Sequence, residues 1–61
     1  MENIKQILIR RDGLNEVEAT NLITSAKEQM AEYLAYNDID SAYDICAEFF
    51  NLEPDYLDEL L

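Results

Sequence analysis

The segment from Asn15 to Tyr36, NEVEATNLITSAKEQMAEYLAY, constrains this chain more than any other, because it is the one stretch long enough to be a central helix. Its apolar residues Ala19, Leu22, Ile23, Ala26, Met30, Tyr33 and Leu34 recur at the i, i+3, i+4, i+7 spacing of one buried helical face. Asn15 and Glu18 form a capping box, in which the Asn side chain accepts from the Glu18 N–H and the Glu side chain reaches back to the Asn N–H. A long helix with one apolar face needs other elements to cover it. No stretch alternates as a strand, and Ile7-Leu8-Ile9 is too short and too isolated to build a sheet. The fold class predicted is all-α.

The flanking segments supply the cover. Glu2 to Arg11 reads as a first short helix with Ile4, Ile7 and Leu8 on one side, and Ile9 widening the apolar face. Arg10 and Arg11 fall in its last turn, where cations suit the negative end of the helix dipole. Gly13 ends it, as the residue most tolerant of positive φ. Leu14 then stands where a hydrophobic staple against Ala19 would sit. A third helix is expected over Ser41 to Phe50, capped by Asp38 or Asp40, with Ala42, Ile45, Cys46 and Phe49 buried and Phe50 at the edge of that face. Asn51 is its stop. Glu53-Pro54 opens a last short helix with Tyr56, Leu57, Leu60 and Leu61 on its apolar side, Pro being tolerated in a first turn. The expectation is one domain, residues 1–61, folded as a small three-helix bundle with a short fourth C-terminal helix.

A chain of 61 residues buries only about 60% of its unfolded surface, so its stability margin is thin. One Cys excludes an internal disulfide, and the absence of His excludes a Cys/His zinc site. Cys46 has no His to act as its base and reads as a core thiol. Asp38-x-Asp40-x-x-x-Asp44 resembles the start of a calcium loop, but Ala42, Tyr43 and Phe49 stand where an oxygen ligand, Gly and Glu are needed. No metal and no cofactor are predicted. A chain this small rarely encloses the water-poor cleft that sets two carboxylates apart in pKa, so the chain is not expected to be an enzyme. The acidic, polar start predicts no signal peptide, and no apolar run approaches the ~20 residues of a membrane span. With a free thiol, these features predict a cytoplasmic protein.

The net charge of −10 is unevenly placed: residues 1–27 are neutral overall, and residues 28–61 contain every excess acid and no base. Such a half repels phosphate backbones and anionic lipid and attracts basic partners. Asp40, Asp44 and Glu48 recur at i, i+4, i+8 opposite the buried face of the third helix, and Tyr36 and Tyr43 flank the acidic connection. Like charges at i+4 each cost about 0.2–0.5 kcal/mol, which a small domain tolerates for solubility or for a function. Tyr beside Asp is also an interface composition. The candidate partner-binding residues are therefore Tyr36, Asp38, Asp40, Tyr43, Asp44 and Glu48. The partner expected is a protein with a basic or mixed surface, with no direct nucleic-acid or membrane contact. The alternative is a nucleic-acid mimic whose spaced carboxylates occupy the basic groove of a nuclease or other DNA-binding protein. A monomer is expected; a homodimer through Ile9 and Leu60-Leu61 is the alternative state.

Arg11-Asp12-Gly13-Leu14, Glu18-Ala19 and Asn51-Leu52-Glu53-Pro54-Asp55-Tyr56-Leu57, taken together, resemble a group of short acidic proteins from phages and prophages of Gram-positive bacteria. In those, an R-D-G-[LM] turn precedes a helix containing E-A, and L-E-P-D-Y-L closes the chain. The resemblance implies a phage origin and a bacterial-cytoplasm setting. The group carries no established activity, so it assigns no functional residue here.

Overall fold

A computed structural model describes residues 2–61, and the described residues form five helices and no strand. The longest is α2, Glu16–Ala35. Twenty residues at 1.5 Å each give a rod of about 30 Å, against a longest molecular dimension of 33 Å. The other elements, α1 (Ile4–Asp12), α3 (Ile39–Tyr43), α4 (Ile45–Phe50) and a C-terminal 3₁₀ helix (Pro54–Glu59), are all shorter. They pack along α2 and against each other.

Both long helices start from Asn capping boxes. At α2, the Asn15 side chain accepts from the Glu18 N–H at 2.8 Å and the Asn15 N–H donates to Glu18 at 3.1 Å, as the sequence predicts. At α1 the box is Asn3 and Gln6, with the same reciprocal bonds at 2.8 and 3.0 Å. Asn3 therefore stands outside the helix, and α1 begins at Ile4 rather than Glu2. Its far end is Gly13 at φ 71°, whose N–H donates to the Leu8 carbonyl. A Cβ at Gly13 would meet nothing within 4 Å, so a substitution there is penalised by backbone strain alone. Gly13→Ala is expected to cost about 1–2 kcal/mol, read from denaturant melts; an unchanged midpoint would remove the left-handed turn from the account.

The buried centre of α2 is Ala19, Ala26 and Met30, with Leu22, Ile23 and Tyr33 half-buried beside it. Two alanines at the centre let the neighbouring helices approach closely, and Ala42 does the same on α3. Facing them are Ile4 and Leu8 from α1, Ile45, Cys46 and Phe50 from α4, and Leu60. Leu34 departs from expectation and is 44% exposed. It sits about 60° from the centre of the buried stripe at ~100° per residue, in the last turn of α2.

The predicted third helix is divided. Asp44 (φ −87°, ψ 1°) separates α3 from α4; its N–H donates to Asp40 at 3.2 Å and its carbonyl accepts from the Glu48 N–H at 3.0 Å. The ranking of the two phenylalanines is also reversed: Phe50 is buried and Phe49 half-buried. Asn51 stops α4 in the left-handed region, φ 55°, where Asn is among the few tolerated side chains. The last segment opens at Pro54 as predicted but is a 3₁₀ helix. Leu60 is buried under it, while Leu61 stays exposed.

Candidate functional site

The surface that holds the predicted site residues is built by one tight reversal. At the end of α2, the Asn37 N–H donates to Leu34 at 3.0 Å and the Asp38 N–H to Tyr33 at 2.8 Å. Asn37 takes φ 60° to make the turn. The Asp38 carboxylate then caps α3 by accepting from the Ser41 N–H at 3.3 Å. This reversal leaves Tyr36 at the turn and projects Ile39 and Tyr43 from successive turns of α3. They are 78%, 56% and 57% exposed.

All six residues singled out in the sequence are exposed, but they are not equivalent. Tyr36, Asp38, Asp40, Tyr43 and Asp44 share the reversal and α3. Glu48 lies a turn further, on α4, and its carboxylate accepts from the Tyr33 hydroxyl at 3.3 and 3.4 Å. Asp38 is partly committed as a cap. Among the described residues, Asp40 and Asp44 make no side-chain hydrogen bond and no ion pair. Sequence reasoning missed Ile39 and Leu34 as exposed apolar neighbours of this face. Spacing did not reveal Ile39, which precedes Ala42 by three residues and Cys46 by seven and so falls in register with the buried face.

Three of the four cations are paired elsewhere. Lys5 meets Glu16 at 3.8 Å, Arg10 binds Glu2 through two bonds at 2.6 and 2.7 Å, and Arg11 binds Asp12 at 2.9 and 3.0 Å. Hydrogen bonding to these arginines holds the Glu2 and Asp12 carboxyls below their ordinary range. Arg11 alone of them also reaches the second half, where it donates to the backbone carbonyls of Phe50 and Asn51 rather than to a carboxylate. Among the described residues, no acid beyond residue 27 has an ion-pair partner.

Elsewhere the surface offers one shallow depression of about 300 Å³, lined by Lys5, Glu16, Val17, Thr20 and Asn21 and bordered by the Lys5–Glu16 pair. Among the described residues no three acidic or thiol side chains are grouped to hold a metal, and no helix is long and apolar enough to cross a membrane. Cys46 is buried in the core, and burial followed by the Glu59 carboxylate pushes its thiol above the ordinary 9.0. Partial burial, then the Glu48 carboxylate, raises the Tyr33 phenol above 10.0. Both groups hold their proton more tightly folded than unfolded. Their contribution is complete below the ordinary values and is lost as pH rises through the folded ones. Melting temperature should therefore fall from about pH 9 upward, and less steeply in Cys46→Ala; a flat profile to pH 10.5 would contradict the buried thiol.

Fold and surface together define a small acidic all-helical protein with its unpaired carboxylates gathered on one half of the chain. The chain matches no family model, and no curated protein or solved structure is detectably similar to it.

Proposed function

We propose that this protein is a non-enzymatic protein–protein interaction module, phage- or prophage-encoded and acting in the bacterial cytoplasm. It binds a basic or mixed surface of a host or phage protein through the face from Tyr36 to Glu48. The observation that carries this reading is the exposure of Tyr36, Ile39 and Tyr43 beside the unpartnered carboxylates of Asp40 and Asp44. Tyrosine is enriched at interface centres and charges at their rims. The phage setting rests on the resemblance carried by Arg11-Asp12-Gly13-Leu14 and Leu52-Glu53-Pro54-Asp55-Tyr56-Leu57. In this reading α3 and α4 act as one bent third arm, which keeps the three-helix arrangement with a short terminal element.

A nucleic-acid mimic is the second reading. It is favoured by the hydrogen bonds that tie Asp44 to Asp40 and to Glu48, which space the three acids at about 6 Å per step. Capture of partners from bacterial lysate by the parent, by Tyr36→Ala/Tyr43→Ala and by Asp40→Asn/Asp44→Asn, at low and high salt, separates the two. An interaction module loses its partner with the tyrosines. A mimic recovers DNA-binding proteins, loses them steeply with salt, and depends on the aspartates alone. Capture unchanged in both variants would overturn both readings.

A further inference from the structure

We propose that the Ile39/Tyr43 face binds a cationic amphipathic helix, one whose apolar row is flanked by Lys or Arg. The proposal rests on the reading of this face as the interaction surface and names what occupies it.

Three observations select that occupant. The first is the shape of the face. Ile39 and Tyr43 lie one helical turn apart, about 6 Å along the axis and within ~40° of each other around it. They form a short apolar ridge of the kind that seats between side-chain rows of another helix. The second is the state of the backbone. The Ala42 N–H already donates to Asp38 and the Asp44 N–H to Asp40, each at 3.2 Å. No strand edge exists among the described residues, so an extended peptide would find no ladder to join. Recognition at this face is by side chains, which a helix presents in a row.

The third observation is charge, and it is directional. Asp40 and Asp44 follow Ile39 and Tyr43 by one residue, placing both about 100° to one side of the ridge; Asp38 stands at its N-terminal end, capping the Ser41 N–H. The ridge is thus bordered by carboxylates along one flank and at its start, with no base in residues 28–61. A partner that matches it has cations beside an apolar row. The same field rejects an anionic lipid surface, a nucleic acid and a second copy of this chain, whose net charge is also −10.

The test uses the full chain and two labelled peptides of about 18 residues, made of Leu and Lys in equal composition. One has helical amphipathic spacing; in the other the same residues are scrambled so that no apolar row forms. Binding is measured by fluorescence anisotropy at about 0.05 and 0.3 M salt. The amphipathic peptide is expected to bind at least about tenfold tighter than the scramble, and Ile39→Ala or Tyr43→Ala to remove that preference. Asp40→Asn/Asp44→Asn should weaken both peptides and flatten the salt dependence, while Val17→Ala, on the exposed side of α2, should change nothing. These residues are exposed, so the variants keep the fold, and circular dichroism verifies it. Equal affinity for the two peptides, or a preference that survives Tyr43→Ala, would overturn the proposal. A photoreactive side chain at position 39 distinguishes the levels of failure. A cross-linked lysate protein that the amphipathic peptide does not displace sinks the cationic helix but leaves the interaction surface standing. No cross-link together with no peptide preference sinks both.

Discussion

Phe50→Ala is expected to leave the protein largely unfolded near room temperature. Phe50 is one of the largest fully buried side chains, and truncating a buried Phe costs about 3–5 kcal/mol in lost transfer energy and residual cavity. A domain of this length has roughly 3–9 kcal/mol in total, so one such change removes much or all of it. Far-UV circular dichroism and a denaturant melt would read the loss directly. Phe49→Ala provides the internal comparison. Its ring stands 6.2 Å from that of Phe50, tilted by 54°, but it is only half-buried, so its loss should cost clearly less. If Phe49→Ala proved the more damaging of the two, the packing of the C-terminal segment on α4 would be wrong.

Arg11→Ala should be the more damaging of the two arginine substitutions on α1, lowering the melting temperature by roughly 5–10 °C. The last carbonyls of a helix have no partner within it. At the end of α4, Arg11 meets that need by donating to Phe50 and Asn51 across nearly forty positions of sequence. Asp12 holds the guanidinium in place from the other side. Arg10→Ala removes only the solvent-exposed pair with Glu2, and such pairs contribute little; its melting temperature should stay near that of the parent. The pH dependence follows from Asp12. Its carboxyl titrates below the ordinary 3.8 because Arg11 donates to it. Its contribution is therefore present above that value and lost as pH falls through the lower, folded one. The gap between parent and Arg11→Ala should narrow below about pH 3.8. Equal melting of Arg10→Ala and Arg11→Ala at neutral pH would mean the α4 carbonyls are satisfied by water instead.

Glu59 shows a similar long reach. In the sequence it reads as one more acid, spaced four residues from Asp55. In the structure its carboxylate accepts from the Ile4 N–H at 2.9 Å, at the first turn of α1, where negative charge suits the helix dipole. One carboxylate of the acidic half is thus structural, and so, in part, are Asp38 and Glu48. The free charge on the Tyr36–Glu48 face is concentrated in Asp40 and Asp44, a narrower set than spacing alone indicates.

What the sequence determined by itself is local. The long amphipathic stripe of α2, the Asn15–Glu18 box, the left-handed stop at Gly13 and the Asn51 terminus all follow from bonds and spacings within four or five residues. Such signals act in the isolated segment much as they do in the folded chain. The six candidate surface residues were legible for the same reason, since polar or aromatic positions off the apolar stripe face outward. Tertiary structure decided the rest. Phe50 is buried rather than Phe49, and Leu60 rather than Leu61, because the chain turns back at Asn51 and lays its 3₁₀ helix against α4. Arg11 and Glu59 became caps for remote helix ends, and Leu34 was left outside although it lies no further from the centre of its helix's stripe than half-buried Leu22. These outcomes depend on which segments meet across the core. The hydrogen bonds that place Arg11 and Glu59 join residues about 40 to 55 positions apart, a separation at which side-chain periodicity has no memory.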